Sequence, residues 1–186
     1  MTRKETIINL LKEVKREGMD KLIEWLEQSS FFEDPASTKY HDSIEGGLAK
    51  HSLGVYENFV AMTGRDDDTA KIACLLHDVC KIGTYKKVVK MVKNEITADW
   101  EAKVSYDYQD DGLPYGHGEK SVLMIQDYIR LTKEERLMIR WHMGAYESKE
   151  CWNNLGKAQE MYPSVLYIHF ADMLDSKGHK HEKGNK

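Results

Sequence analysis

Six side chains in this 186-residue sequence are of types that could do chemistry together: His51, His77, Asp78, His117, His142 and Asp172. His77 and Asp78 are neighbours in LLHDVCK, at the end of a segment that is otherwise apolar. An ionised carboxylate buried without compensation costs several kcal/mol, so Asp78 calls for a cationic partner or a metal. Adjacent positions of a helix differ in direction by about 100°. Read as the interior of one apolar helix, the pair grips a single ion from two sides of a turn. Alone, the pair has a plainer explanation, a hydrogen-bonded core histidine beside a capping aspartate. The other four weaken that explanation. His51 follows Gly46 and Gly47 at a helix start, and His117 stands between Gly116 and Gly118 at a helix entrance. His142 falls in a last helical turn before Gly144, and Asp172 interrupts the apolar run IHFADML. Imidazole and carboxylate together hold Zn, Mn, Fe, Co or Ni, and helical bundles build such sites from inward-facing side chains.

The elements that must position these groups are mostly helical. Residues 4–17 and 19–29 carry two apolar stripes at helical spacing, punctuated by Gly18. Residues 30–47 are rich in Ser, Pro, Asp and Gly and read as a loop. A helix is expected from about Leu48 to Thr63. Asp66, Asp67 and Asp68 then offer N-caps to the segment TAKIACLLHDVCKI, expected to be a buried central helix. Residues 84–110 change to β-branched and aromatic residues in partial alternation, which predicts a β-hairpin insertion. Helical pattern returns in GEKSVLMIQDYIR and in TKEERLMIRWHMG, where Thr132 and Glu135 form a capping box. Residues 145–161 are ambiguous, and Pro163 can open a last helix. The tail is polar and reads as frayed, its His179 and His181 as solvated.

Composition narrows the function. No run reaches the roughly 18 apolar residues of a membrane span, and the N-terminal segment lacks the apolar block of a signal peptide. Three cysteines, Cys74, Cys80 and Cys151, without metal-motif spacing suit a reduced, cytoplasmic protein. The net charge of −4, from 27 basic and 31 acidic side chains, lacks the footprint of a dedicated nucleic-acid binder. Lys86, Lys87, Lys90 and Lys93 read as a local solvated face.

The phrases EGGLAKHSLGVYENF, ACLLHDVCKIG, GHGEKSV, RWHMG and HFADMLDS follow one another in the order of the HD-domain superfamily of metal-dependent phosphohydrolases. The doublet alone is a weak signal, but with an upstream His, two intermediate His and a late Asp it is strong. The sequence resembles small phage and Firmicute HD hydrolases and the HD domain of bacterial 3′–5′ exoribonucleases over roughly residues 30–176. The resemblance implies an all-α HD-domain bundle spanning 30–176, with 1–29 as a helical extension packed on it and 177–186 as a flexible tail. It further implies that His51, His77, Asp78 and Asp172 hold a first divalent ion. His117 and His142 add the ligands of a second, with Asp78 between the two. Lys81 matches the lysine that follows the pair by three residues and would face the phosphate. Cys80 stands where such sequences often have Gly; a buried free Cys behaves as a small hydrophobe, so packing alone is expected to change.

The expected activity is hydrolysis of a phosphate ester of a nucleotide or related small molecule by metal-activated water, with Asp78 and Lys81 at the reacting centre. A bound divalent ion lowers the pKa of its water from about 15.7 toward ~7. His41 and His169 are further candidates for substrate contact. The cofactor is one or two divalent transition ions. Three rival readings stand beside this one: a phosphodiesterase or exonuclease on single-stranded nucleic acid, a non-catalytic module that retains metal, and oxidative chemistry at a di-iron centre.

Overall fold

Helix α3 (Gly47–Thr63) lies at the middle of the molecule, packed along α8 (Ser164–Gly178) on one side and α4 (Asp68–Leu76) on the other. Helix α6 (Lys133–Trp141) packs against α4 and α8, and α5 (His117–Gln126) packs against α6. Before them come α1 (Arg3–Glu13) and α2 (Met19–Gln28), and α7 (Trp152–Met161) precedes α8. These helices and one hairpin, β1 (Tyr85–Lys93) and β2 (Trp100–Tyr108), are seen in a computed structural model that describes residues 1–38, 42–94, 97–109 and 112–178. Among the described residues no helix is long and apolar enough to cross a membrane.

Local chemistry accounts for the helix starts. Thr2 and Glu5 form a capping box on α1, Thr132 and Glu135 form another on α6, and the Asp67 carboxylate accepts from the Ala70 N–H of α4. Each such cap stabilises its helix by about 1 kcal/mol. Ile7, Leu11, Leu22 and Leu26 of α1 and α2 are fully buried in the same core as Val55 and Phe59 of α3 and Ile72 and Leu75 of α4. Arg16, between α1 and α2, reaches α6 and donates to both carboxylate oxygens of Glu135 at 2.7 and 2.8 Å. The Glu135 side chain is completely buried, and the paired guanidinium compensates the cost of burying that charge.

The hairpin pairs Tyr85 with Tyr108 at its base and Lys93 with Trp100 at its far end. Alternation puts Val89, Met91, Val104 and Trp100 on one face, exposed to solvent. Lys86, Lys87, Lys90 and Lys93 are exposed as expected of a solvated stretch.

Residues 145–161, ambiguous in the sequence, form two 3₁₀ turns and then α7. Two local expectations need correction. Helix α1 ends at Glu13 rather than continuing to residue 17, because Val14 is already extended (φ −70°, ψ 118°) and buries its side chain in the core. The second concerns the chemistry directly. His77 and Asp78 are not inside a continuous helix: α4 stops at Leu76, Asp78 leaves helical geometry (φ −110°, ψ 15°), and Val79–Lys81 forms a 3₁₀ turn. A continuing helix would send the two side chains about 100° apart. The break turns both toward the same place.

Candidate metal centre

Asp78 is the hub. One of its oxygens, Oδ1, lies 2.7 Å from His117 Nε2 and 3.4 Å from His142 Nε2. The other, Oδ2, lies 3.4 Å from His77 Nε2, 3.6 Å from His51 Nε2 and 2.6 Å from Lys81 Nζ. Asp172 approaches from α8, with Oδ1 3.3 Å from His51 Nε2. The residues therefore sort into neighbouring groups able to hold an ion: His51, His77 and Asp172; and His77, Asp78 and His142, with His117 on the far oxygen of Asp78. All six side chains singled out from the sequence come together. They arrive from α3, the end of α4, the start of α5, the end of α6 and the middle of α8.

What stands behind the histidines decides which atoms face inward. His77 Nδ1–H donates to the Cys74 carbonyl at 2.9 Å, and His142 Nδ1–H donates to the Ile139 carbonyl at 2.7 Å. A carbonyl only accepts, so the proton is on Nδ1 in both rings. His51 Nδ1–H donates to Asp175 Oδ2 at 2.7 Å. In each neutral ring the lone pair is then on Nε2, aimed at the centre. His51 Nε2 and His77 Nε2 face each other at only 3.3 Å, with the Asp78 and Asp172 carboxylates beside them. Two facing lone pairs among carboxylates need a cation or a proton between them. The donor set therefore fits a divalent ion.

Without metal, protons do this work. Burial pushes the His51 imidazole down, but hydrogen bonds to Asp172 and Asp175 and the charge of Asp78 outweigh it, raising its pKa to about 9. His117 is likewise raised to about 9, burial being outweighed by the charge and hydrogen bond of Asp78. Burial would push Asp78 up, yet Lys81, His77 and His117 hold its carboxyl well below the usual carboxylate range. Asp172 is lowered too, its burial outweighed mainly by the hydrogen bond from His51. Lys81 is raised, because the Asp78 carboxylate outweighs its own desolvation. Strong shifts gathered at one point are the electrostatic signature of a functional site.

The remaining expectations divide. Lys81 is at the centre and also lines a cavity of ≈190 Å³ with Cys80, Tyr85, Tyr108, Tyr115 and His117. His169 is buried behind the centre: its Nδ1–H donates to the His142 carbonyl at 2.8 Å, and its ring fills the space where a side chain on Gly144 (φ +52°) would stand. That placement makes it a support for His142 rather than a surface for substrate. His41, His179 and His181 lie outside the described residues.

Two participants were not anticipated. Asp175 orients His51, and its carboxylate fits only because Gly54 has no Cβ to collide with it. Its sequence signal is spacing: it lies three residues after Asp172 and so on the same helix face. Cys80, expected to affect packing alone, has its Sγ 3.2 Å from His117 Nδ1 and forms a group with Asp78 and His117. Packing alone does not describe that contact, which sets a thiol against the His117 ring.

This bundle, with a histidine–aspartate pair at a helix break and a late aspartate opposite it, defines a class as well as a site. A model of the HD domain matches residues 48–177 of the chain. The chain belongs to the HD-domain family, a superfamily of metal-dependent phosphohydrolases. No curated protein and no solved structure matches it.

Proposed function

We propose that this protein hydrolyses a phosphate ester of a nucleotide or related small phosphorylated molecule, using divalent ions held by His51, His77, Asp78 and Asp172 and by Asp78, His117 and His142. One observation carries the reading: three Nε2 lone pairs, fixed from behind by Nδ1 hydrogen bonds, face Asp78 in a buried cluster. Divalent ions bound there supply an activated water at neutral pH and neutralise charge on the transferring phosphoryl group.

The chain's own residues do the rest. Asp175 and the carbonyls of Cys74 and Ile139 keep the imidazoles from rotating, so the donors need no reorganisation. Lys81 presents an ammonium at the cavity wall, 16% exposed, where it binds a phosphoryl oxygen as a point charge. The low exposure of Asp78 and His77 excludes bulk water and strengthens each charge interaction.

Support for a small substrate comes from the cavity. At ≈190 Å³ it is smaller than the roughly 300–1,000 Å³ that encloses a drug-sized ligand. It takes the phosphoryl end and leaves the remainder at the mouth, where Tyr108 and Tyr115 are largely exposed and can stack on a planar ring. The test is metal analysis joined to an assay panel of nucleoside mono-, di- and triphosphates, cyclic nucleotides, oligonucleotides and a generic aryl phosphodiester. Turnover of a mononucleotide or the small diester, dependent on added Mn²⁺ and lost with chelator, is expected. A fully metal-loaded protein inert toward the whole panel would overturn the proposal, and turnover of oligonucleotides alone would replace it with an exonuclease.

A further inference from the structure

We propose that the hairpin is a dimerisation arm: β1 of one copy of this chain pairs antiparallel with β1 of a second copy about a twofold axis at Val89. The pairing does not depend on the activity proposed above. A two-stranded hairpin alone is marginally stable in water, and three or more strands, or a helix packed on one face, are needed to hold it. Here only the base is held: Tyr106 is buried, and the Gln109 N–H donates to the Thr84 carbonyl at 2.8 Å. Beyond the base the arm is bare, with Val89 68% and Trp100 66% exposed and Met91 and Val104 beside them. Among the described residues the sheet has two strands, and no backbone hydrogen bond from another element reaches the outer edge of β1. Such an edge, nine residues long and next to an apolar face, is a template for another strand.

Charge decides which strand pairs and in which register. Lysines on an edge deter pairing, and β1 carries Lys86, Lys87, Lys90 and Lys93. With the axis at Val89, Lys86 falls opposite Val92 of the second copy, Lys87 opposite Met91, Lys90 opposite Val88 and Lys93 opposite Tyr85. The whole strand then pairs and no two lysines meet. Moving the axis by one residue sets like charges face to face: Lys86 against Lys90 with the axis at Val88, and Lys87 against Lys93 with the axis at Lys90. The lysines that deter other registers therefore select this one. Lys87 and Lys90 already carry acidic partners, Glu45 at 2.9 Å and Asp107 at 2.5 Å. The edge of β2 is poorer, because an axis at Val104 sets Glu101 against Asp107. Pairing β1 with β2 of another copy is head-to-tail and leaves a free edge at each end.

The result is a four-stranded sheet in which the two apolar faces join. Val104 and Val89 of one copy continue into Val89 and Val104 of the other as one row. At either end a row reads Trp100, Lys93, then Tyr85 and Tyr108 of the second copy, which sets an ammonium between aromatic rings. Tyr85 and Tyr108 also line the cavity at the metal centre. Each copy thus brings its Lys93 to the mouth of the other's cavity, where, on the reading above, an anionic phosphate enters.

The test is sedimentation equilibrium of the 186-residue chain, which is expected to give twice the chain mass across the micromolar range. Val89→Lys puts two ammonium groups face to face at the axis and is expected to give monomer with unchanged helical circular dichroism. Disulfide trapping checks the register in a Cys151→Ser background. Paired Cα atoms stand about 4.5–5.5 Å apart, within disulfide reach, so Val89→Cys is expected to give a crosslinked dimer under a mild oxidant. Met91→Cys lies ~13 Å along the strand from its own copy and is expected to stay uncrosslinked. A monomeric chain, a dimer that survives Val89→Lys, or crosslinking as strong at residue 91 as at 89 overturns the pairing. A monomer whose arm instead retards a single-stranded oligonucleotide, with retardation changed by Val89→Lys, assigns the face to nucleic acid and overturns it as well. None of these readouts needs metal or turnover, so their failure is distinct from failure of the phosphohydrolase reading.

Discussion

The two halves of the centre are built differently. The half around His51 and His77 is closed: the two side chains are 1% and 0% exposed, and each has its Nδ1 proton committed to an acceptor behind it. The half around His117 is open, with that side chain 33% exposed beside the cavity, and the ring's other nitrogen lies against a thiol instead of a carbonyl. Asp78 belongs to both. The contrast teaches a division of labour: the closed half has its donors oriented from behind, and in the proposed function the open half beside the cavity receives the substrate.

The strongest way to break that picture is at the shared hub. Asp78→Ala removes the one carboxylate common to both halves and leaves the half-buried Lys81 beside the imidazoles without its counter-charge. Metal content is expected to fall to background and activity to be abolished, while circular dichroism remains mostly helical. Full activity with metal intact would refute the hub.

His117→Ala separates the halves. Metal analysis is expected to fall by about one ion per chain, since the closed half keeps all of its donors. Loss of one ion's charge stabilisation, on the order of several kcal/mol, corresponds to kcat lower by about a hundredfold or more. Unchanged stoichiometry would mean that the centre is mononuclear.

Asp175→Ala acts on the closed half without touching a donor. Removing an outer hydrogen-bond partner of a metal-ligating His typically lowers metal affinity about 10- to 100-fold. The expected result is weaker binding of one ion by competitive chelator titration, with Asp175→Asn intermediate because the amide oxygen still accepts from Nδ1–H. An unaltered affinity in the alanine variant would show that packing alone orients His51.

How much of this arrangement was legible beforehand depends on what kind of signal each residue leaves. His77, Asp78 and Asp172 were conspicuous because ionisable groups inside apolar runs violate the cost of burial, and that violation is visible in the sequence itself. The capping box at Thr132 and Glu135 and the hairpin alternation were visible for the same local reason. The break after Leu76 was not, because LLHDVCK carries no Gly or Pro and its apolar pattern runs on; only the tertiary demand for two inward side chains ends the helix there. The acceptors at Cys74 and Ile139 are backbone carbonyls, which no side-chain pattern encodes. The contact between Cys80 and His117 spans 37 residues and the whole hairpin, so it exists only once α5 has folded back onto the 3₁₀ turn.

The mildest test concerns protons, and it sharpens the comparison because the two halves ought to behave alike. His51 and His117 differ greatly in exposure, yet both are raised from 6.5 to about 9. Burial lowers each, and contact with carboxylates outweighs it in both, so charge rather than depth decides. A group whose folded pKa is raised stabilises the fold fully below its unfolded value and loses that contribution as pH rises through the folded value. The metal-free protein should therefore be less stable at pH 9 than at pH 6.5. About 1 kcal/mol corresponds to roughly 2–4 °C for a chain of this size, so a fall of several degrees in melting temperature is expected. With metal bound the sign reverses, because the ions displace those protons and bind more tightly as pH rises through the same window. His117→Ala should keep only the His51 part of the metal-free slope. If metal-free protein were equally stable at both pH values, the protons would not be standing in for the ions, and the facing lone pairs of His51 and His77 would need another explanation.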